Sequence, residues 1–502
     1  MSSPLYIAVD LGAGSGRVFL AGLDANEFLL EEIHRFRYPP EHDGQYLRWN
    51  FRLIFEEVLA GLARAGVRAK ELGRRIGSVG VDTWGVDYGL VGKDGRLIAD
   101  PVCYRDARTD QAMEGVFAVV PRDEIFEKTG VQFQKFNTLY QLYSETETEK
   151  ASMLLLLPDL INYMLTGKAA AEYTNATTTQ MVNAAIGDDW DAELLARLSL
   201  PRGLLQQIVP AGTSLGDLRP EIIEKTGLDG VAVVVPGTHD TASAVAAAPL
   251  TEGSAYVSSG TWSLIGVELD RPLITPEVAR LNFTNEGGVY NTFRFLRNVM
   301  GLWIFEACRK EWEAAGNSIE YELLIADAGA IDGFPAFVYP DDERFLNPES
   351  MLDMINTQLS ETGQEIVSSP AMITRIIFDS LAFRYASVLR SIESLTATKL
   401  ERIEILGGGG RNRYLNQMTA NATGLPVRSG LIEAAVAGNL LVQAIASGRF
   451  ASLSEAREYI ASKAEFESFE PRDVSELAYS MDRYLSIEER FANAVARAGD
   501  TK

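Results

Sequence analysis

The sequence predicts an α/β protein with two domains, and three observations lead to this fold class. The chain has 502 residues, which is too many for one hydrophobic core. In its first half, short β-rich segments alternate with longer segments whose apolar residues recur at helical spacing. One strand-turn-strand pattern occurs in both halves of the chain, which indicates two related domains.

The individual elements follow from local composition. Apolar and β-branched runs predict strands in "LYIAVDLG", "RVFLAGLD" and "IGSVGVDTWGVDYGLV". Between them, "RLIFEEVLAGLARAGVRAKELG" carries its apolar residues at the spacing of a helix. Near residue 403, "IEIL" predicts a further strand, and Asn412 is suited to cap a helix that begins there.

The repeated pattern consists of segments 5–24 and 254–270. Each has an apolar strand, a turn of glycine and small hydroxyl residues, a second apolar strand and a final aspartate. We interpret both as β-hairpins that open a domain, so that the first domain spans residues 1–247 and the second spans 248–502. The alternative is that any two hairpins share this much of a pattern.

Composition excludes several functional classes. A net charge of −23 argues against a surface that binds nucleic acid or anionic lipid, because neutralising phosphates requires a basic face. The two cysteines, Cys103 and Cys308, allow neither a disulfide framework nor a thiolate metal site, and we expect both to be buried. The start "MSSPLYIAVDLG" is unlike a signal peptide and no apolar run is long enough to span a membrane, so a cytoplasmic protein is expected.

Three glycine-rich turns are candidate phosphate or nucleotide sites. Residues 10–17, "DLGAGSGR", allow backbone N–H groups to approach an anion, and Asp10 can hold Mg²⁺ through water. A strand is predicted to follow, and no Gly-Lys-Ser/Thr occurs, which excludes both the Rossmann fingerprint and the Walker A loop. "SSGTWS" offers a second phosphate turn, and "LGGGGRN" leaves room for a flat ligand such as adenine. Ordinary turns, with Asp10 as a cap, remain the alternative.

The segment "VVVPGTHDTASAVAAAP" places His239 and Asp240 where an apolar run ends. Strand ends often carry chemistry, because a rigid sheet holds the side chains while leaving them accessible. A turn would explain Gly237 and Asp240 equally well. These residues alone leave both interpretations open.

Taken in order, "DLGAGSGR", "SSGTWSLIG" and "LGGGGRN" resemble the FGGY carbohydrate kinases of the actin and hexokinase superfamily. The resemblance covers nearly the whole chain and implies two actin/hexokinase-like (ribonuclease H-like) α/β domains with a cleft between them, with ATP and Mg²⁺ as cofactors. "VDTWGVDYGL", "PGTHDTAS", "NFTNEGG" and "LRNVMGLWIFEACRKEW" most resemble the members that act on L-rhamnulose. They imply ATP-dependent formation of L-rhamnulose 1-phosphate in L-rhamnose catabolism.

The resemblance also implies roles for single residues. Asp240 is the expected proton acceptor. The expected sugar contacts are Gly85, His239, Asp240, Thr241 and Asn298, with Asp87 as a further candidate. The expected nucleotide contacts are Ala13, Gly14, Ser15, Gly16, Arg17, Thr261, Glu306 and Gly408, and the expected metal ligand is Asp10. Two positions depart from the family pattern: Gly14 stands where a serine is expected, and Glu306 stands where some members have glutamine.

Two other functions stay open. One is an FGGY kinase for another ketose, such as L-fuculose, L-ribulose or D-xylulose. The other is a non-catalytic, nucleotide-gated actin-like module, against which Asp10 and Asp240 argue. The expected partners are a sugar and ATP, without nucleic acid or membrane; the residues do not decide between a monomer and a homodimer. Trp84 and Trp303 are expected in the core, because aromatic residues in apolar stretches usually pack there.

Overall fold

A computed structural model describes residues 3–24, 28–472 and 476–500. The chain divides into two compact units. The first unit comprises Met1–Pro249, Glu268–Phe295 and Glu433–Ala464, and the second comprises Leu250–Val267, Leu296–Ile432 and Glu465–Lys502.

The strands, in chain order, are β1 (Leu5–Gly12), β2 (Ser15–Leu23), β3 (Phe28–Arg37), β4 (Glu41–His42), β5 (Leu47–Arg48), β6 (Ile76–Thr83), β7 (Tyr88–Gly92), β8 (Ala151–Leu156), β9 (Ala171–Glu172), β10 (Ile208–Val209), β11 (Ser214–Asp217), β12 (Ala232–Val234), β13 (Ser254–Ser259), β14 (Trp262–Leu269), β15 (Thr284–Gly287), β16 (Phe293–Met300), β17 (Arg402–Leu406), β18 (Val427–Leu431) and β19 (Glu467–Phe469).

The helices, in chain order, are α1 (Phe51–Glu71), α2 (Ala112–Phe117), α3 (Arg122–Thr129), α4 (Thr138–Tyr143), α5 (Leu157–Thr166), α6 (Tyr173–Thr178), α7 (Ala192–Arg197), α8 (Pro220–Thr226), α9 (Asp240–Ala247), α10 (Pro276–Arg280), α11 (Trp303–Ala314), α12 (Tyr321–Gly329), α13 (Met351–Glu361), α14 (Pro370–Thr396), α15 (Arg413–Thr423), α16 (Ala434–Ala446), α17 (Leu453–Lys463) and α18 (Leu477–Asp500).

A six-stranded sheet forms the centre of the first unit, in the order β11-β12-β6-β1-β2-β3. β1, β6 and β12 run parallel, whereas β2 and β3 continue from β1 as antiparallel neighbours and β11 is antiparallel to β12. The predicted opening hairpin is therefore confirmed, and so are the predicted strands at β6 and β7. Because parallel strands end at the same edge, the residues that follow β1, β6 and β12 lie near one another.

The sheet of the second unit repeats this arrangement. It has seven strands, in the order β15-β16-β14-β13-β17-β18-β19. β13 and β14 form an antiparallel hairpin, β17 and β18 lie parallel to β13, and β19 is antiparallel to β18. The two segments that share a sequence pattern are thus the hairpins β1–β2 and β13–β14, and each leads into the same succession of parallel strands.

Helix α1 shows how local sequence sets an element of the first unit. The Asn50 side chain caps it by accepting the N–H of Leu53 at 3.0 Å. Ile54, Val58 and Leu62 recur at helical spacing and are buried in the core around the sheet. The predicted helix is therefore confirmed.

Helices α9 and α16 meet closely in the first unit. A Cβ added at Gly438 of α16 would lie 1.7 Å from the carbonyl oxygen of Ser243 in α9, so only glycine allows this approach. Gln443, also on α16, donates to the carbonyl of Ile7 in β1 at 2.9 Å. Helix α16 thereby ties α9, which begins at Asp240, to the central sheet.

The other local predictions have clear outcomes. Cys103 and Cys308 are free and buried, as expected. Trp84 is buried, as expected, whereas Trp303 is only half-buried. Among the helices of the described ranges, none combines the length and apolar character that crossing a membrane requires.

Candidate active site

Two aspartates lie side by side in the sheet of the first unit. Asp10 of β1 is paired in register with Asp82 of β6, and both are buried. Arg17, from the neighbouring strand β2, forms ion pairs with Asp10 and with Glu433. The predicted metal ligand Asp10 and the predicted nucleotide contact Arg17 are therefore in direct contact.

Asp82 is fully enclosed and only partly paired. The side-chain amide of Asn439 donates to Oδ2 at 2.6 Å, while Oδ1 has no hydrogen-bond donor among the described residues. Burial raises the pKa of Asp82 well above its usual range, and the negative charges of Asp10 and Asp240 raise it further. Crowding of these carboxyl groups thus disfavours their simultaneous ionisation.

Asp240 is the first residue of α9 and carries a well-held carboxylate. Its Oδ1 accepts the backbone N–H of Thr241 at 2.5 Å and lies 3.1 Å from the Thr241 hydroxyl. Burial raises the pKa of Asp240; the adjacent His239 lowers it, and Asp10 raises it. A carboxylate with a raised pKa is a better proton acceptor than an ordinary one.

His239 precedes α9 and has polar partners on both ring nitrogens. Nε2 lies 3.5 Å from Asp240 Oδ1, and Nδ1 lies 3.1 Å from Nη2 of Arg294. The His239 backbone N–H donates to the Thr174 hydroxyl at 3.2 Å. Asp240 thus opens a helix, and His239 is fixed beside it.

The connection between β6 and β7 contains a strained residue. Val86 has φ of 69°, a conformation that a β-branched residue rarely adopts, next to the predicted sugar contact Gly85. The Val86 carbonyl accepts the Thr138 hydroxyl at 2.7 Å, which helps to hold this backbone. Such strain persists where the surroundings fix it, and it is common at functional sites.

Asp87 lies in this connection too, but it is enclosed by protein. Its Oδ2 accepts the indole N–H groups of Trp49 and Trp84 at 2.7 and 2.9 Å, and its Oδ1 accepts from Gln141 at 3.1 Å. Asp87 thus fixes the indole rings of Trp49 and Trp84.

The predicted phosphate loop is the turn between β1 and β2. Gly12 pairs with Ser15, so Ala13 and Gly14 form a two-residue turn. The Tyr38 hydroxyl lies 2.7 Å from the Gly12 carbonyl and 2.9 Å from the Ser15 carbonyl, which holds the turn. Gly14 has φ of 142°, where a serine would be strained, so the departure from the family pattern matches the local backbone.

In the second unit, two further turns lie side by side. The turn containing Thr261 follows β13 and the glycine cluster follows β17, and these strands are parallel, with Ser258 opposite Leu406. As predicted, a helix begins just after the cluster: the Asn412 side chain caps α15 by accepting the N–H of Leu415 at 3.0 Å.

Different structural constraints act at the four glycine positions of this cluster. Gly407 has φ of 82°. A Cβ at Gly409 would lie 2.0 Å from the Ser259 hydroxyl, and one at Gly410 would lie 2.6 Å from the Ser429 hydroxyl. Gly408 is exposed, and a Cβ there would meet nothing within 4 Å. Backbone conformation or packing therefore explains its neighbours but not Gly408.

The turn at Thr261 also connects to the start of α11. The Thr261 carbonyl accepts the N–H groups of Gly301 and Trp303 at 3.1 and 3.2 Å. Glu306, in the first turn of α11, accepts from Arg309 at 3.1 Å, so the carboxylate that replaces glutamine here has a cationic partner. Asn298 is half-buried in β16.

Comparison with known proteins identifies the family. The N-terminal domain model of the FGGY family of carbohydrate kinases matches residues 5–247, and the C-terminal domain model of the same family matches residues 255–447. The chain belongs to the FGGY family of carbohydrate kinases. It is therefore a sugar kinase, and membership implies ATP as the phosphoryl donor.

Several curated relatives of this FGGY kinase are rhamnulokinases. The rhamnulokinase of Bacteroides thetaiotaomicron is 40% identical over 476 residues, covering 94% of this chain and 96% of that protein. The rhamnulokinases of Oceanobacillus iheyensis and Bacillus subtilis are 41% and 38% identical over 462 and 474 residues, covering 90% and 94% of this chain and 96% of each relative.

Solved structures show the same two-domain α/β fold. The gluconate kinase of Lactobacillus acidophilus superposes with a TM-score of 0.78 at 17% identity, covering 99% of both chains. A xylulose kinase of the same organism gives 0.77 at 17% identity, covering 98% of both chains. At such identity these likenesses establish the fold of the FGGY kinase alone.

Sequence reasoning missed three residues that this FGGY kinase places at the site, namely Asp82, Glu286 and Arg294. Asp82 left a recognisable pattern, because "AVDLG" and "GVDTW" both place Val-Asp at the end of a predicted strand. Glu286 lies within the quoted "NFTNEGG", but its contact with Arg294 at 3.1 Å depends on strand pairing.

Proposed function

We propose that the protein transfers the γ-phosphoryl group of ATP to L-rhamnulose and forms L-rhamnulose 1-phosphate, a step in the catabolism of L-rhamnose. The observation that carries this proposal is the 40% identity to a curated rhamnulokinase over 94% of the chain. The reaction is expected in the cytoplasm, because ATP is its co-substrate.

Asp240 is proposed as the proton acceptor. In the reaction, the O1 hydroxyl oxygen of the sugar forms a bond to the γ-phosphorus, and the bond from that phosphorus to the bridging oxygen of ADP breaks. The hydroxyl proton passes to the Asp240 carboxylate. The raised pKa and the fixed orientation from Thr241 support this role, since an acceptor must be basic and correctly placed.

Sugar recognition is proposed for the residues around Asp240. His239 and Thr241 flank the carboxylate in the chain, and Gly85 lies in the strained connection after β6. A main-chain bridge between Thr83 and His239, with Thr83 N–H donating to the Thr238 carbonyl at 2.8 Å, links that connection to the start of α9. Asn298 is included in the proposal on the family resemblance.

Nucleotide binding is proposed for turns of both domains. Ala13, Gly14, Ser15, Gly16 and Arg17 present the backbone of the β1–β2 turn, which suits an anionic ligand. Thr261, Glu306 and Gly408 are the proposed contacts in the second domain. The open space at Gly408 supports this assignment, since its neighbours are glycines for reasons of packing or backbone conformation.

Mg²⁺ is proposed as the metal cofactor, and the residues present fit it. Asp10 would hold the ion, with Asp82 beside it, and the unpaired buried oxygen of Asp82 favours a cation there. In the described ranges, no three acidic, cysteine or histidine side chains are grouped to hold a metal. One or two carboxylates plus substrate phosphates is the arrangement that Mg²⁺ favours. When bound, the ion neutralises charge on the phosphates.

The proposed function is tested by product analysis. The protein is incubated with L-rhamnulose, ATP and Mg²⁺, and phosphorus NMR follows the nucleotides and sugar phosphate. We expect L-rhamnulose 1-phosphate and ADP in equal amounts, with little ADP when the sugar is omitted. ATP turnover at the same rate without sugar and without sugar phosphate would contradict the proposal and favour the non-catalytic actin-like alternative.

A further inference from the structure

Arg294 is a fully buried arginine in β16 that reaches the ring of His239. Its Nε donates to the Gly287 carbonyl at 2.9 Å, and its Nη2 lies 3.1 Å from His239 Nδ1. Nη2 also lies 3.1 Å from Oε2 of Glu286. A buried guanidinium is tolerated only with such a counter-charge, so Glu286 and Arg294 form one unit behind the imidazole.

The chemistry of arginine restricts the histidine. A guanidinium has donors and no acceptor. The nitrogen that faces it must therefore offer a lone pair, and the ring proton must lie on the other nitrogen. The competing arrangement is a proton on Nδ1 donated to Glu286, but this carboxylate is 3.5 Å from Nδ1, longer than the Arg294 contact.

We propose that Arg294 is a positioning residue that fixes His239 as the tautomer with its proton on Nε2. Nε2 is the nitrogen on the Asp240 side, 3.5 Å from Oδ1. In this tautomer, His239 is a donor to an oxygen in the site. It does not compete with Asp240 for the hydroxyl proton. The assignment of that oxygen to the sugar rests on the proposed function, whereas the tautomer itself does not.

The tautomer can be measured directly, because the chain has only three histidines, His34, His42 and His239. Protein labelled with ¹⁵N-histidine is studied without sugar at about pH 8, above the ordinary titration of histidine. Long-range ¹H–¹⁵N correlations distinguish the tautomers, and His239→Gln assigns the resonances. His34 is an internal reference, since Arg64 contacts its Nδ1 and Glu57 its Nε2, both at 2.5 Å.

We expect the Nε2–H pattern for His239 in the wild type. In Arg294→Met, which removes the donors but keeps an unbranched apolar side chain, the pattern should change to Nδ1–H or a mixture. Arg294→Lys, whose ammonium group also only donates, should retain the Nε2–H pattern. An Nδ1–H pattern in the wild type overturns the proposal even if Arg294→Met fails to fold.

Kinetics provide the second readout. Arg294→Met should raise the KM for the sugar about tenfold, the effect of one lost hydrogen bond of ordinary strength. The KM for ATP and the kcat should change less than twofold. An unchanged tautomer together with an unchanged KM for the sugar would also overturn the proposal. Preference for another ketose would contradict the proposed function and leave the tautomer result intact.

Discussion

Asp240 is the residue on which the proposed chemistry depends. Asp240→Asn retains the shape of the side chain but removes the proton acceptor, so kcat should fall by roughly 10²- to 10⁴-fold with little change in the KM for the sugar. Asp229→Asn, in an exposed loop of the first unit, is the matched control and should behave like the wild type. If Asp240→Asn kept more than about a third of the wild-type kcat, Asp240 would not be the base.

The same carboxylate determines the expected pH dependence. Asp240 accepts a proton only when ionised, and its pKa lies above the ordinary value of 3.8. Activity should therefore be present above this raised pKa and be lost as the pH falls through it. The measurement is kcat/KM for the sugar against pH, with circular dichroism to show that the protein stays folded. A profile with its midpoint at or below the ordinary aspartate value would contradict the shift.

The glycine cluster after β17 allows a paired test of packing against ligand contact. Gly409→Ala would place a Cβ 2.0 Å from the Ser259 hydroxyl, and should lower the free energy of unfolding by about 1 to 3 kcal/mol, as overpacking does. The Cβ of Gly408→Ala would meet nothing within 4 Å, so this variant should change the free energy of unfolding by less than about 0.5 kcal/mol.

Urea unfolding and the KM for ATP separate the two variants. Gly408→Ala should raise the KM for ATP although its stability is normal, because the methyl group would occupy the space left for the nucleotide. A normal KM for ATP in Gly408→Ala would remove Gly408 from the nucleotide site.

Helix α16 packs closely against α9 at Gly438. Replacing a helical glycine by alanine ordinarily stabilises a helix by about 1 kcal/mol. Gly438→Ala should instead destabilise the protein by at least about 1 kcal/mol, because the added Cβ would collide with the Ser243 carbonyl of α9. Since α9 begins with Asp240, kcat should fall too. Thermal unfolding and kcat measure both effects, and a stabilised, fully active variant would exclude this close contact.

The local sequence pattern was sufficient to predict individual hairpins, helices and helix caps. The hairpins β1–β2 and β13–β14, helix α1 and the Asn412 cap follow from periodicity and turn residues. The Arg294–His239 contact joins residues that are distant in the chain, so it depends on tertiary packing that no local pattern encodes. The family resemblance supplied the candidate site residues, whereas the reasons that Gly409 and Gly438 are glycine required coordinates.

At the scale of the whole chain, two related units each supply a hairpin and parallel strands, and the family models match both parts. This fold also serves gluconate and xylulose kinases at low identity, so the fold cannot identify the sugar. Assays with the candidate sugars are therefore needed to identify the preferred substrate.

We infer that this FGGY kinase prefers L-rhamnulose to other ketoses. The most direct measurement is steady-state kcat/KM with saturating ATP and Mg²⁺ for L-rhamnulose, L-fuculose, L-ribulose and D-xylulose. We predict the highest value for L-rhamnulose, by about tenfold or more, which corresponds to about 1.4 kcal/mol of transition-state stabilisation. A preference of about tenfold or more for any of the other three ketoses would contradict the claim, while the family assignment would stand.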